Sequence, residues 1–320
     1  MTNDFSAPSG ARSPSAPAAA VPSAQWGRVT LVGAGPGDAE LLTLKAARVL
    51  ASASTVLYDN LVSNDVLAHV AQGAELIYVG KQSRNHTLPQ EDIIDLMVRL
   101  AKEGRSLVRL KGGDPYIFGR GGEEAQALVA AGIACTTVPG ISAAQGASAA
   151  TGIPLTHRDH AGMLVFATGH LQGEEGERTV ALDWDALARP RQTVVIYMGV
   201  GTLPTICAQL MRHGLAPDTP AALIERAKLP EQRTVVGSVQ TLPELAVQHG
   251  VRAPALIVIG TTVSLHSVIG NGAAAGLVAP VATAVAGAGM AGDRPAVQQQ
   301  PAAVAELPAH LQVRALAGVA

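Results

Sequence analysis

Two cysteines in 320 residues, Cys135 and Cys207, are too few and too far apart for a disulfide framework. Without CxxC spacing they make no structural zinc site, and no His/Cys cluster stands at metal-ligand spacing elsewhere. Charge is equally sparse. Charged residues are 15% of the chain and the formal net charge is -2, so there is no global basic field of the kind that drives non-specific nucleic-acid binding, and an anionic partner must be met locally. The first 25 residues, "MTNDFSAPSGARSPSAPAAAVPSAQ", lack an apolar stretch behind a basic one, which argues against a secretory signal and for a reducing, cytoplasmic setting. A membrane span is not expected either. Ser267 to Gly292 carries no charge and is long enough, but its Ala and Gly contribute little transfer energy, Pro280 interrupts it, and no anchoring Trp or Lys flanks it.

What is present is core-forming. Hydrophobic residues are 48% of the chain, enough for one large or two medium domains. Residues 1–26, rich in Ala, Pro and Ser, bury too little apolar surface to offset chain entropy and read as a disordered leader; 269–320 reads as a low-complexity Ala/Gly/Pro tail. Between them, short β-branched runs alternate with helical periodicity, the signature of βαβ units and a mostly parallel sheet. The expected strands are 28–33, 54–58, 75–79, 106–110 and 134–138, then 162–168, 193–198, 220–225, 232–237 and 255–259. "PQEDIIDLMVRLAKEG" reads as a helix with Pro89 at its start, acids in its first turn and Gly104 at its stop. The expected architecture is two α/β domains, 27–140 and 161–268, joined by a connecting segment 141–160, with a cleft between them.

The stretch "VTLVGAGPGDAELLTLKAARVL", residues 29–50, poses the functional question. An apolar run ends in Gly33, Gly35 and Gly37, and an apparent helix follows. A dinucleotide fingerprint needs G-x-G-x-x-G, but Asp38 stands where the third glycine belongs, and Pro36 removes one N–H from the potential phosphate cradle. Asp59 does follow the second strand about 20 residues on, where a ribose-binding acid would sit, so a nicotinamide dehydrogenase is a rival reading.

A second dense stretch, "VRLKGGDPYIFGRGGEE" at 108–124, makes a sharp turn at the end of a strand, where open α/β sheets place ligands. Together with "VGAGPGD", "VLYDNLVS", "VGK", "VPGISAA", "GIPLTHRD" and "YMG", it resembles the tetrapyrrole methylase family, in register from about Arg28 to Leu265. The resemblance implies two α/β domains of the class III methyltransferase type, usually in a homodimer, with S-adenosylmethionine bound between the domains. "GIPLTHRD" with "VGKQSRNHTLPQE" resembles the members that methylate uroporphyrinogen III at positions 2 and 7 to give precorrin-2, for sirohaem or cobalamin synthesis. Alternatives are a later corrin intermediate, an RNA or protein substrate on the same fold, or a non-catalytic tetrapyrrole carrier. About 26 residues precede the methylase-like region, too few for the dehydrogenase and ferrochelatase module fused to some members, so oxidation and metal insertion are expected to come from other proteins.

Carried over residue by residue, the resemblance implies donor contacts at Pro36, Gly112, Gly113, Asp114, Ile117, Ser142, Ala143, Met198 and Ala227, a proton acceptor at Asp59 and a proton donor at Lys81. One departure is that Arg226 and Ala227 stand where the family often has Asn-Gly. Each residue also has a plainer reading. The glycines of "KGGD" would let the backbone approach a ligand; Asp114 before a proline is a turn former; Asp59 could make an Asx-turn or a helix cap; Lys81 could neutralise a substrate carboxylate; Met198 by itself would be core packing. A sulfonium donor is already activated, so catalysis is chiefly alignment and proton management and needs no metal. Eight substrate carboxylates call for a locally basic cleft, for which Lys81, Arg84, His86, Lys111, Arg120, His157, Arg158 and His160 are candidates.

Overall fold

The computed structural model describes residues 26–80, 89–170 and 180–270. The leader, the 81–88 segment with Lys81, Arg84 and His86, and the tail beyond residue 270 lie outside the described residues.

Five β-strands open the chain: β1 (Val29–Gly33), β2 (Thr55–Tyr58), β3 (Glu75–Tyr78), β4 (Leu107–Lys111) and β5 (Cys135–Val138). They form one parallel sheet in the order β3-β2-β4-β1-β5. The helices α1 (Leu44–Ala51), α2 (Asn64–Leu67), α3 (Gln90–Lys102) and α4 (Gly121–Ala130) link its strands, as parallel pairing requires. In α3 the stripe Ile93, Leu96, Met97, Leu100 and Ala101 is buried while Glu91 and Asp92 lie in the first turn and Arg99 and Lys102 in the last, complementing the helix dipole. The helix expected straight after the glycine loop starts later. Asp38 first caps a 3-10 turn at Ala39–Leu41 by accepting the Glu40 N–H, and α1 begins only after Thr43, whose hydroxyl accepts the Ala46 N–H at 3.1 Å. The loop therefore does not open onto the start of an α-helix as a phosphate cradle would.

The second sheet contains β6 (Met163–Thr168), β7 (Gln192–Tyr197), β8 (Pro220–Glu225), β9 (Arg233–Ser238) and β10 (Ala255–Ile259), in the order β6-β7-β10-β8-β9. Only β6 and β7 are parallel; the other three pairings are antiparallel. The expectation of parallel strands fails here because β8 and β9 are joined by a short loop without a helix, so the chain must turn back on itself. Helices α6 (Trp184–Leu187), α7 (Leu203–Arg212) and α8 (Leu242–Gln248) complete this half, and Leu203, Ile206, Cys207 and Leu210 of α7 enter its core.

Between the sheets runs α5 (Ala143–Thr151), inside the segment read as a connector. Its Ala144 and Ala147, with Ile153 beyond, pack into one cluster with Val195, Tyr197, Leu256 and Val258 of the second sheet. Among the described residues no helix is long and apolar enough to cross a membrane, and no group of three or more His, Cys, Asp or Glu could hold a metal ion.

Both cysteines are free thiols, and burial pushes Cys207 up to about 12 and Cys135 up to about 11. At about pH 8 the thiolate fraction of either is then of order 0.001 or less. A disulfide reagent such as dithiobisnitrobenzoate is expected to react slowly with the native chain and with both thiols after denaturation; fast native reaction would contradict this burial.

Candidate active site

In the first sheet β1 and β4 lie side by side, and the chain leaves them in opposite directions, towards β2 and β5. Such a switch point opens a crevice at the carboxyl ends of the strands. Here glycines bring three strand ends together. Gly35 and Gly113 each donate an N–H to the other's carbonyl, at 3.1 and 2.7 Å. A Cβ on Gly140 would overlap the Gly113 carbonyl oxygen and stand 2.9 Å from the Gly33 Cα, and one on Gly33 would stand 2.7 Å from that same oxygen. Gly113 also has a left-handed backbone, φ +67°. The glycines of "KGGD" thus have reasons within the chain: Gly113 its conformation, and Gly112 the Leu61 side chain, whose Cβ lies 2.7 Å from where a Gly112 Cβ would stand.

Asp114 makes the turn expected of it. Its Oδ1 accepts the Tyr116 N–H at 2.8 Å and its Oδ2 the Gly140 N–H at 3.0 Å, which ties the loop after β4 to the loop after β5. That second loop ends in Ser142, buried, whose hydroxyl and Gln145 form a reciprocal capping box at the start of α5. Ile117, Ala143 and Ala227 are partly buried against one and the same apolar cluster.

Loops from both sheets meet at this place. Pro36 packs on α5 so closely that a Cβ on Gly146 would stand 2.6 Å from its Cγ, and Gly37 faces Leu229 of the β8–β9 loop. Tyr197, at the end of β7, accepts the Ala144 N–H at 3.2 Å and packs its ring 4.8 Å from Phe118. Burial raises its pKa, so it remains a neutral phenol. Met198, next in the chain, is not core packing: it is 52% exposed with φ +54°. Of the six non-glycine residues with left-handed backbone among the described residues, five lie on these loops: Phe118, Arg120, Met198, Arg226 and Lys228. Each costs of order 1 kcal/mol or more, and such strain clusters at functional sites.

Asp59 stands at the end of β2. Its Oδ1 accepts the Leu61 N–H at 3.0 Å, an Asx-turn, while Ser63 two residues on caps α2 and donates to the Gly37 carbonyl at 2.6 Å. Its Oδ2 is held by Arg109 Nη2 at 3.1 Å. Behind that pair lies a buried network, Arg109 and Lys111 of β4 with Glu124 of α4. Burial, and after it the Arg109 guanidinium, lowers the Lys111 pKa, against Glu124, which raises it. Tyr78 packs its ring edge-on to Tyr58, and burial followed by the Asp59 carboxylate raises its pKa.

The other predicted residues do not all join this place. Lys81, Arg84 and His86 lie outside the described residues. Lys111 is 4% exposed and bonded to Glu124, so it is not a cleft-lining cation. Arg120 is exposed and paired with Glu123 at 2.7 Å. His157, Arg158 and His160 form a turn bonded to Arg191 and Thr261, at the end of the second sheet where β7 starts and β10 finishes. That is one strand length, about 20 Å, from Met198. A cavity of about 310 Å³ at that same end, lined by Leu187, Arg191, Leu215 and Ile259, is likewise remote from the glycine loops. Sequence reasoning missed Arg109, Glu124, Phe118 and Tyr197. For the first there was a signal: two cations inside "LVRLK", an otherwise apolar strand.

A parallel-sheet switch point closed over by a second, mixed sheet, with glycine loops and strained exposed residues at the seam, defines a small-molecule α/β protein with its ligand cleft between two layers. Residues 28–243 match the family model of the tetrapyrrole (corrin/porphyrin) methylases, and the chain belongs to that family. Among curated proteins it is 53% identical over 240 residues to a siroheme synthase of Thioalkalivibrio sulfidiphilus, covering 75% of this chain and 48% of that one. A siroheme synthase of Methylobacillus flagellatus is 54% identical over 240 residues, covering 75% and 50%. The chain spans about half the length of the curated relatives it matches. Among solved structures, the uroporphyrin III C-methyl transferase of Thermus thermophilus is 42% identical with a TM-score of 0.63, covering 75% of this chain and 94% of that one. The Thermus thermophilus enzyme complexed with S-adenyl homocysteine matches at 42% identity and a TM-score of 0.62, covering 74% and 93%. A cobalt precorrin-4 methyltransferase is 26% identical with a TM-score of 0.64, covering 74% and 95%.

Proposed function

We propose that the chain transfers methyl groups from S-adenosylmethionine to two pyrrole carbons of uroporphyrinogen III, positions 2 and 7, giving precorrin-2 for sirohaem or cobalamin synthesis. The observation that carries this reading is the convergence of the loops bearing Pro36, Gly112–Asp114, Ile117, Ser142, Ala143, Met198 and Ala227. They offer what an adenosyl ligand needs: small side chains, an apolar wall at Ile117, Ala143 and Ala227, and turned backbone at Gly113 and Met198. S-adenosylmethionine supplies a sulfonium-activated methyl group. The residues of the chain then align the acceptor carbon, exclude water and manage protons. Asp59 is the proton acceptor, its carboxylate oriented by Arg109 and its backbone fixed by the Asx-turn. Lys81 is proposed as the proton donor. Leu61, Tyr116, Phe118 and Met198, all large, apolar and exposed on these loops, suit the flat face of a tetrapyrrole, and Arg120 suits its carboxylates.

The lower identity to the cobalt precorrin-4 enzyme, 26% against 42%, favours uroporphyrinogen III over a later corrin intermediate. Residues 27–140 and 161–268 are proposed as the two α/β domains, with 141–160 joining them. A homodimer is proposed, supported by Met163 and Leu164, exposed on the edge strand β6. The two free thiols support a cytoplasmic setting.

The test is incubation with enzymatically generated uroporphyrinogen III and methyl-labelled donor, followed by mass spectrometry of the oxidised tetrapyrrole. Two added methyl groups are expected. Donor binding without transfer would overturn the substrate assignment and direct the search to later corrin intermediates. Gly146→Ala, which pushes Pro36 away from α5, is expected to weaken S-adenosylhomocysteine binding about tenfold by calorimetry, since relieving such overpacking costs about 1–3 kcal/mol.

A further inference from the structure

Glu124 has no part in the site proposed above, yet it is the most deeply buried charged side chain near it, at 0% exposure. Its Oε1 accepts from three donors on two elements, α3 and β4: Gln90 Nε2 at 2.9 Å, Arg109 Nε at 3.3 Å and Lys111 Nζ at 2.9 Å. Its Oε2 is buried with no hydrogen-bond partner among the described residues. A carboxylate in such a place is costly unless it is paired, and here two cations offset it. Arg109 shows what the pairing achieves. Nε is held by Glu124, Nη1 donates to the Leu110 carbonyl at 3.0 Å, and Nη2 reaches Asp59 at 3.1 Å. Side-chain exposure rises along the chain of contacts, from 0% at Glu124 to 4% at Arg109 and 20% at Asp59. The guanidinium is fixed from the core and presents one nitrogen outwards.

We propose that Glu124 is a positioning residue, which acts through Arg109 to set the orientation of the Asp59 carboxylate at the cleft without itself touching donor or tetrapyrrole. The inference rests on the proton-accepting role proposed for Asp59. Two anions, Asp59 and Glu124, balance two buried cations, Arg109 and Lys111. Without the Glu124 charge both cations have Asp59 as their nearest anion in the network, the Arg109 fork is free to turn, and the carboxylate is drawn inwards from the cleft. A displacement of about 1 Å at a reacting group costs up to about 100-fold in rate.

The test uses the full chain with S-adenosylmethionine and enzymatically generated uroporphyrinogen III, and compares Glu124→Gln, Glu124→Asp, Asp59→Asn and the double variant Asp59→Asn/Glu124→Gln. Glutamine keeps the shape and one acceptor oxygen, removes the charge, and places an amide NH2 where the unpartnered Oε2 stood. Glu124→Gln is expected to lower kcat by about 10- to 100-fold with S-adenosylhomocysteine affinity unchanged, Glu124→Asp to restore part of the loss, and the double variant to be no slower than Asp59→Asn alone. Additive losses in the double variant, or a lowered melting temperature with kcat intact, would overturn the inference while leaving the proton-accepting role of Asp59 standing. Full activity of Asp59→Asn would overturn that role and the inference with it. Should Glu124→Gln not fold, Glu124→Asp carries the same comparison, with a reduced kcat, unchanged S-adenosylhomocysteine affinity and the same non-additivity with Asp59→Asn as the supporting result.

Discussion

Replacing Asp59 by asparagine is expected to lower kcat by about 100- to 10,000-fold, the range lost with a positioned acid–base group, while binding of S-adenosylhomocysteine is preserved. The substitution is nearly isosteric. Asparagine keeps an oxygen to accept the Leu61 N–H, so the Asx-turn that shapes the loop survives, and with it the contact of Leu61 on Gly112. What disappears is the negative charge opposite Arg109 and the ability to take a proton. The separation of kcat from donor binding is what makes the result informative. Steady-state kinetics with saturating donor, alongside calorimetry, checks it; a variant that retains kcat would assign Asp59 to the turn and the ion pair alone.

The second large effect is structural. Gly140→Ala is expected to destabilise the chain by about 3 kcal/mol, the upper end for overpacking, and so to lower the melting temperature by roughly 6–12 °C. The new methyl group would meet backbone atoms on two sides, the Gly113 carbonyl oxygen and the Gly33 Cα, and neither can rotate away as a side chain could. Relief has to come from separating the ends of β1, β4 and β5, so donor affinity should fall together with stability. Gly122→Ala is the control. That glycine lies in α4 with nothing within 4 Å of where its Cβ would stand, and alanine there is expected to stabilise by up to about 1 kcal/mol through helix propensity. Differential scanning calorimetry of the two variants separates a crowded junction from a general intolerance of glycine replacement.

Much of the fold was legible because strands and helices in this chain declare themselves locally. β4 and β10 are short apolar runs bounded by turn residues, and α3 carries its stripe, its acids and its stop in sequence order. Strand direction in the second sheet was not legible. Parallel and antiparallel partners bury similar residues, and only the lengths of the connections distinguish them, as at the β8–β9 link. At the site, the motif residues around Gly113, Asp114 and Ser142 do stand together, but part of what they do serves the chain itself: a turn, a cap and a glycine junction. The Glu124–Arg109–Asp59 relay was invisible because it joins residues 15 and 50 positions apart through three-dimensional packing, and charged residues in sequence read by default as surface. The "THRDH" residues misled for the opposite reason. Their clustering in sequence is real, but the β6–β7 register carries them to the far end of the sheet.

Hydrogen exchange with and without S-adenosylhomocysteine decides whether loops from both sheets form one donor site. Backbone amides slow their exchange where a ligand suppresses local opening. Protection is expected together in segments 33–37, 112–118, 140–144, 198–199 and 226–229, which belong to different strands and meet only in the folded protein. Protection confined to one of the two sheets, or centred on the remote cavity at 187–192, 214–219 and 259–261, would contradict it.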